Sequence, residues 1–136
     1  MTRPSRPSNA EPKGRGGADE RRQRLSRGLV AEHVAVALLM LKGYRIIARR
    51  LRTPYGELDL IAARGRRLAF VEVKRRLTIS DAEAALTPHQ AGRIGRAADY
   101  WLDRHPAFRN HEIGLDAVLV MPRRWPRHIP NALDGI

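Results

Sequence analysis

The chain has 136 residues, a length that fits one domain. Its 26 Lys or Arg against 14 Asp or Glu give a formal charge of +12, which indicates a polyanionic partner, nucleic acid above all. The absence of cysteine excludes disulfides, zinc–thiolate sites and thiol nucleophiles. Since there is neither an apolar run of membrane-spanning length nor the apolar centre of a signal peptide, the sequence predicts a cytoplasmic protein with no membrane partner.

The N-terminal part of the chain divides into a polar arm and a helix. Residues 1–27 are rich in Pro, Gly, Ser and Arg, and they predict a disordered basic arm ahead of a folded domain over residues 28–136. Helical spacing over about 25–42, closed by Gly43, predicts a largely buried helix. Glu32 is its one acidic residue, and it either points into a site shared with the strands or extends to solvent. The predicted apolar stripe comprises Leu29, Val30, Val34, Ala37, Leu38 and Leu41.

The rest of the chain reads as strands interrupted by one long helix. Three consecutive antiparallel strands are predicted over 44–51, 56–63 and 68–75. After a polar connector, Thr87 and Pro88 predict the start of a helix that ends near Arg104. A fourth strand is predicted over 115–121 and a fifth, edge strand near 129–133. This order predicts an α/β fold with a mixed central sheet of four to five strands flanked by helices.

Two carboxylates interrupt the apolar strands, Asp59 in the second and Glu72 in the third, and Lys74 follows Glu72 on the same face. Strand alternation places Asp59 on the face of Ile61, and Glu72 and Lys74 on the face of Phe70. An ionised carboxylate is expensive to bury unless a cation compensates it. The pattern therefore predicts a divalent cation, Mg²⁺ or Mn²⁺, between the two strands.

This set of residues suits phosphodiester hydrolysis, which needs an activated water and charge stabilisation at phosphorus, both of which a divalent metal supplies. The expected metal ligands are Asp59, Glu72, the backbone carbonyl of Val73 and, directly or through water, Glu32. Lys74 is expected to face the same pocket, where its ammonium would lower the pKa of the attacking water or stabilise the phosphate. The predicted catalytic residues are Asp59, Glu72, Lys74 and Glu32.

A family resemblance adds to this interpretation. The chain carries the segments GELDLIA, residues 56–62, and FVEVK, residues 70–74. Together they resemble the signature of the small bacterial YraN-like proteins, which are similar to the Holliday-junction resolvase branch of the PD-(D/E)XK nucleases. The resemblance covers about residues 28–133, and Glu32 matches the family's helical glutamate. It implies a restriction-endonuclease-like core with Asp59, Glu72 and Lys74 as the catalytic trio.

Of three further polar residues, Gln90 and Glu57 have two interpretations each and Asp116 has one. Gln90 stands where relatives often carry a lysine; it either completes a capping box or joins Arg93 in binding phosphate. Asp116 follows Gly114 where an arginine is more typical, so it is expected to be structural and less clearly paired. Glu57 is either a supporting group for Asp59 or the solvent-facing end of its strand.

Trp125 lies in a basic cluster with Arg123, Arg124 and Arg127. It either stacks on a base or ribose, or covers the edge of the core. The five histidines show no metal-ligand spacing and are expected at the surface or at helix caps.

The sequence thus predicts a Mg²⁺- or Mn²⁺-dependent endonuclease acting on DNA, branched or otherwise structured. A non-catalytic nucleic-acid-binding module that keeps the fold is the main alternative, and a structural partner of a larger repair or replication complex is a third. A C₂ homodimer would suit an enzyme that makes two symmetric incisions. The choice between DNA and RNA stays open at this point.

Overall fold

The computed structural model describes residues 15–136, so residues 1–14 of the expected arm lie outside the described part of the chain. Two long helices and a five-stranded sheet make up most of it. In chain order the elements are α1 (Arg15–Leu41), β1 (Arg45–Thr53), β2 (Gly56–Arg64), β3 (Arg67–Arg75), α2 (Ile79–Ala84), α3 (Pro88–Arg104), a 3₁₀ turn (Pro106–Phe108), β4 (Glu112–Val120) and β5 (Arg127–Ile129).

The sheet has the spatial order β1-β2-β3-β4-β5. Its neighbours are antiparallel except for β3 and β4, which are parallel. A parallel pair needs a crossover connection, and α2 and α3 supply it. The predicted α/β fold with a mixed central sheet is confirmed.

The two long helices cover opposite faces of the sheet. α3 begins at Thr87, whose side chain accepts a hydrogen bond from the Gln90 backbone N–H, with Pro88 in its first turn. Its apolar residues pack on one face of the sheet, where Trp101 lies edge-on to Phe70. α1 covers the other face. The α1 cluster includes Ala35, Leu39, Leu60, Ala62, Ala69, Val71 and Val118.

α1 differs from its prediction at both its start and its buried face. It begins at Arg15, whereas the predicted start was near residue 25. The face against the sheet carries Ala31, Ala35 and Leu39, whereas Val30 and Leu41 of the predicted stripe are 56% and 81% exposed. Residues 29–41 are apolar on nearly all sides, so periodicity could not identify the buried face. Within residues 15–136, no helix combines the length and apolar character needed to cross a bilayer.

Two smaller differences concern the connections. The segment expected as a polar connector contains the short helix α2, capped by the Thr78 side chain. The fifth strand lies at Arg127–Ile129 and not at 129–133. Leu133 instead packs into the core on the α3 face, and its N–H donates to the Leu115 carbonyl.

The regular alternation of β2 breaks at Asp59. Strict alternation would place Leu58 and Leu60 on one face, but Leu58 packs with Ile61 on the α3 face and Leu60 packs against α1. On the neighbouring strand β1, Arg50 has a left-handed φ of 48°. Arg50 and Asp59 lie opposite each other but are not paired in the β1–β2 ladder. Asp59 therefore lines a cavity beside α1. The prediction from strand alternation, that Asp59 shares a face with Ile61, is wrong.

Candidate active site

Asp59 lies where β2 and β3 separate. The ladder between these strands ends at the pair of Leu60 and Val71. Just beyond it, Asp59 Oδ2 accepts a hydrogen bond of 2.8 Å from the backbone N–H of Val73. The carboxylate of Asp59 therefore crosses the gap between the strands.

Glu72 reaches the same gap from the α3 side of the sheet. Its side chain is buried, and its Oε1 lies 3.1 Å from Lys74 Nζ. Its Oε2 lies 3.7 Å from a guanidinium nitrogen of Arg93 on α3. Phe70 packs on the same side of the sheet, so Glu72 and Phe70 share a face, as the alternation of β3 predicts. Glu72 thus has a cation beside each of its two oxygens.

Arg93 also ties α3 to the start of β2. Its second guanidinium nitrogen donates a 3.0 Å hydrogen bond to the backbone carbonyl of Glu57. It passes over Gly56, which has φ +108°, and a Cβ at this position would lie 2.8 Å from the guanidinium. Only glycine allows both this backbone conformation and this close approach.

The two carboxylates affect each other's charge. Burial raises the pKa of Asp59, and the negative charge of Glu72 and a hydrogen bond shared with it raise the pKa further. The Val73 N–H and the Lys74 ammonium act in the opposite direction, and the resulting pKa of Asp59 is about 7. Near neutral pH the pair therefore holds on to a proton, because burial and the negative charge of Glu72 outweigh the stabilising contacts of Asp59.

This donor set fits a hard divalent cation. Asp59 and Glu72 offer carboxylate oxygens, and the backbone carbonyl of Val73 belongs to the residue that Asp59 contacts. Among residues 15–136 no group of three or more His, Asp or Glu side chains is placed to hold a metal ion. Mg²⁺ typically binds one or two carboxylates and completes its octahedron with water and substrate oxygens, so two carboxylates suffice.

Glu32 lies in the same cavity but is engaged elsewhere. The cavity has a volume of about 800 Å³, and both Glu32 and Asp59 line it. Glu32 is 7% exposed, so it does not extend to solvent. Its oxygens accept hydrogen bonds from Arg49 Nε, at 3.0 Å, and from Arg50 Nε. These arginines already neutralise the carboxylate that the sequence predicted as an assisting metal ligand.

The cavity also contains basic residues that the sequence analysis did not select. Arg27, Arg50, Arg75 and Arg76 line it together with Glu57. Arg75 and Arg76 follow Lys74 directly at the end of β3, and this run of three basic residues was the available signal. The cavity therefore presents guanidinium groups beside the carboxylate of Asp59, an arrangement suited to a phosphate backbone.

A family model described as "Uncharacterised protein family UPF0102" matches residues 31–120. The chain is a member of the UPF0102 family. A UPF0102 protein of Methylorubrum extorquens (strain PA1) is 52% identical over 114 residues, 84% of this chain and 89% of the relative. One from Rhodopseudomonas palustris (strain BisB5) is 50% identical over 118 residues, 87% and 90% of the two chains. One from Parvibaculum lavamentivorans is 54% identical over 105 residues, 77% and 79% of the two chains.

Membership of UPF0102 confirms the YraN-like resemblance. The likeness to resolvase-type nucleases stays a prediction, because the UPF0102 description names no activity. The matched span contains Glu32, Asp59, Glu72 and Lys74, and it ends before Trp125.

The remaining predicted site residues of this UPF0102 protein lie outside the carboxylate pair. Gln90 forms half of the predicted capping box through its backbone N–H, while its side-chain Oε1 is buried with no hydrogen-bond partner among the described residues. Trp125 is 86% exposed, which excludes the alternative that it covers the edge of the core. Its neighbours Arg123, Arg124 and Arg127 are exposed as well.

Asp116 is more completely paired than the sequence indicated. Arg67 binds it through two hydrogen bonds of 2.7 and 2.8 Å, His128 Nε2 lies 2.8 Å away, and the Asn131 N–H donates at 2.9 Å. Burial would raise the pKa of Asp116, but these hydrogen bonds lower it to about 2. The Arg67 guanidinium occupies the space that a side chain at Gly114 would take, so it replaces the arginine expected there. His128, expected at the surface, has a side chain only 2% exposed.

Proposed function

We propose that this UPF0102 protein is a divalent-metal-dependent endonuclease that hydrolyses phosphodiester bonds in DNA, with branched or otherwise structured DNA as the substrate class. The observation that carries the proposal is the meeting of Asp59 and Glu72 at the gap between β2 and β3, where burial and the charge of Glu72 raise the pKa of Asp59. A structural role alone would favour carboxylates that are fully paired. Asp59 forms no ion pair among the described residues, and such a carboxylate instead favours an incoming cation.

The residues of the site divide the work. Asp59, Glu72 and the Val73 carbonyl would hold Mg²⁺ or Mn²⁺, which when bound supplies a water of lowered pKa and polarises the phosphate. Lys74 holds Glu72 in place at 3.1 Å and brings an ammonium to the side of the phosphate. Arg93 fixes Glu72 relative to the start of β2.

The substrate side of the proposal rests on charge. The formal charge of +12 and the guanidinium groups around the cavity favour a polyanion over a small neutral substrate. A cytoplasmic location, expected from the sequence, would place the protein with chromosomal DNA. A homodimer would let two such sites cut two strands symmetrically.

The test is cleavage by the purified protein with Mn²⁺ on linear, nicked, flapped and four-way-junction DNA. Wild type is expected to cleave at least one of the structured substrates. Asp59→Asn and Glu72→Gln are expected to lower the rate by about 100-fold or more, since a lost metal ligand removes several kcal/mol of transition-state stabilisation. Glu83→Gln, which removes an exposed carboxylate on α2, is the matched control and keeps the wild-type rate.

The binding half of the experiment separates the metal site from a contaminating nuclease. Calorimetric titration with Mn²⁺ is expected to give saturable binding in wild type and none in Asp59→Asn. DNA affinity in a gel shift stays the same or rises in this variant, because a negative charge near the phosphates is removed. Cleavage that is equal in wild type and both site variants would show that the activity belongs to another protein.

A second candidate function is a non-catalytic nucleic-acid-binding module. It is favoured by the ion pairs of Glu72 with Lys74 and Arg93 and of Glu32 with Arg49 and Arg50, which neutralise these carboxylates without any metal. Absence of Mn²⁺ binding both with and without DNA, together with tight DNA binding, would select this candidate.

A further inference from the structure

Trp125 is held in solvent by a constrained loop. It is 86% exposed, more than any other large apolar side chain among the described residues. The loop joins β4 to β5, and Pro122 and Pro126 fix their own φ angles on either side of the tryptophan. Between them Arg123 adopts a left-handed φ of 60°. A large apolar side chain that is presented in this way, with its backbone restrained, is suited to contact a partner.

The loop that carries Trp125 lies at the same end of the sheet as the candidate active site. β3 and β4 are parallel, with Arg75 paired to Val120, and the Arg76 N–H donates a 3.1 Å hydrogen bond to the Val120 carbonyl. Trp125 follows Val120 by five residues, which span at most about 18 Å when fully extended. The reach of the chain from Val120, which is paired with Arg75, to Trp125 is therefore at most that of a few nucleotides of one strand.

The path between the cavity and Trp125 is basic. Arg75 and Arg76 stand at its start, and Arg123 and Arg124 stand beside the tryptophan. The sequence has no Asp or Glu over residues 73–80 or 117–133. Within both stretches, therefore, no carboxylate opposes the binding of phosphates. Basic groups that follow a backbone and an aromatic ring on which a base can stack are the two components of single-strand binding.

We propose that these residues bind an unpaired, single-stranded segment of the nucleic acid, with Trp125 stacked on a base and Arg75 and Arg76 on the phosphates that lead to Asp59. A continuous duplex offers no free base face to an exposed indole, because each base is already stacked between its neighbours. The substrate class is therefore a nucleic acid with an unpaired arm, such as a flap. This inference rests on the proposed function for the position of the strand at Asp59, while the stacking contact is a binding property that can be measured without cleavage.

The first experiment compares binding to a single strand and to a duplex by fluorescence anisotropy. The probes are a labelled oligothymidine strand of about 12 nucleotides, within the usual range of single-strand sites, and a blunt duplex of equal length. Trp125→Leu is expected to weaken single-strand binding by about 5-fold or more, because one base stacked on an aromatic contributes about 1–3 kcal/mol. Duplex affinity is expected to change by less than about 2-fold, and Trp125→Phe is expected to restore most of the single-strand affinity.

A matched control removes an exposed apolar side chain from α1, outside the loop that carries Trp125. Leu41 is 81% exposed at the C-terminal end of α1, next to Lys42, whose carbonyl accepts a hydrogen bond from Arg64 at the opposite end of β2 from Asp59. Leu41→Ala is expected to leave both affinities unchanged. A second variant, Arg75→Gln with Arg76→Gln, is expected to weaken the binding of both probes and to lower the salt dependence, because it removes phosphate contacts and not stacking.

Intrinsic fluorescence gives an independent measurement. The chain has two tryptophans, and Trp101 is only 5% exposed, stacked on His105 beside Phe70. Saturable quenching of the solvent-exposed emission by unlabelled oligothymidine is therefore expected to come from Trp125, and Trp125→Leu is expected to abolish it.

Equal losses of single-strand and duplex affinity in Trp125→Leu, or no loss in either, would overturn the inference. Absence of quenching by the single strand would overturn it as well. Mn²⁺ titration of the same proteins distinguishes a failure of the single-strand inference from a failure of the nuclease proposal. Retained Mn²⁺ binding without a single-strand effect contradicts only the role of Trp125, and a clear single-strand effect without Mn²⁺ binding contradicts only the metal site.

Discussion

Two aspartates on the same sheet, the buried Asp116 and the half-buried Asp59, have opposite environments. Asp116 accepts four hydrogen bonds, two of them from Arg67, and its pKa falls to about 2. Asp59 accepts one from the Val73 N–H and lies beside Glu72, so its pKa rises to about 7. The difference shows that burial alone does not decide what a carboxylate does. Asp116 is stabilised within the fold, whereas Asp59 is stabilised fully only when a proton or a cation arrives.

The largest expected change in unfolding free energy is at Asp116, whose carboxylate accepts four hydrogen bonds. Asp116→Ala leaves the half-buried Arg67 guanidinium without its main partner, and His128 loses its hydrogen bond. Removing one partner of a buried ion pair costs about 3–5 kcal/mol of unfolding free energy, which urea unfolding followed by circular dichroism would measure. Asp103→Ala, at an exposed position on α3, is expected to change it by less than about 0.5 kcal/mol. A comparable loss in both variants would contradict the structural role of Asp116.

Substitution of Asp59 is expected to raise the unfolding free energy, by less than substitution of Asp116 lowers it. The pKa of Asp59 is raised from 3.8 to about 7 on folding, so the stability linked to its proton is fully present below pH 3.8 and is lost as pH rises through about 7. Asp59→Asn keeps an acceptor for the Val73 N–H and removes the repulsion with Glu72. The variant is expected to be about 1–3 kcal/mol more stable than wild type at pH 8 and to lose this advantage towards pH 4.

Urea unfolding of both proteins at several pH values checks this prediction. Asp116 supplies the contrast within the same molecule, because its lowered pKa gives stability that is present above pH 3.8 and lost as pH falls towards 2. A constant difference between wild type and Asp59→Asn over pH 4–8 would show that the pKa of Asp59 is not raised.

The smallest expected effect is stabilisation by a metal ion. Mn²⁺ at about 100 times its Kd would raise the unfolding free energy by about 2.7 kcal/mol at most, and by about 1 kcal/mol at a few times Kd. Thermal unfolding at pH 7.5 is expected to show a higher Tm with Mn²⁺ in wild type and in Asp103→Ala, and no shift in Asp59→Asn. A shift of the same size in Asp59→Asn would place the ion elsewhere.

Local signals explain what the sequence predicted correctly. The hairpin of β2 and β3 follows from two apolar runs, residues 60–63 and 68–71, on either side of the 64–66 turn, and α3 begins at Thr87 and Pro88 as the capping pattern predicts. The proximity of Asp59 and Glu72 follows from this hairpin, since its short turn fixes the register of the two strands. These features depend on residues close together in the chain.

The features that were missed depend on distant residues. Arg67 and Asp116 are 49 positions apart, and only the parallel pairing of β3 with β4 brings them together. The face of Asp59 depends on the left-handed backbone of Arg50 on another strand. The buried face of α1, which carries Ala31 and Ala35, could not be predicted because residues 29–41 are apolar on nearly all sides of the helix.

The gap between β2 and β3 gives the molecule a built-in reporter. Beyond Leu60 and Val71 the ladder no longer joins the two strands, and the amide proton of Val73 is bonded to a titrating carboxylate. Its resonance in a nitrogen–proton correlation spectrum will therefore move when Asp59 gains or loses its proton. One backbone signal can thus follow the charge state of the site in solution, without any label or substrate.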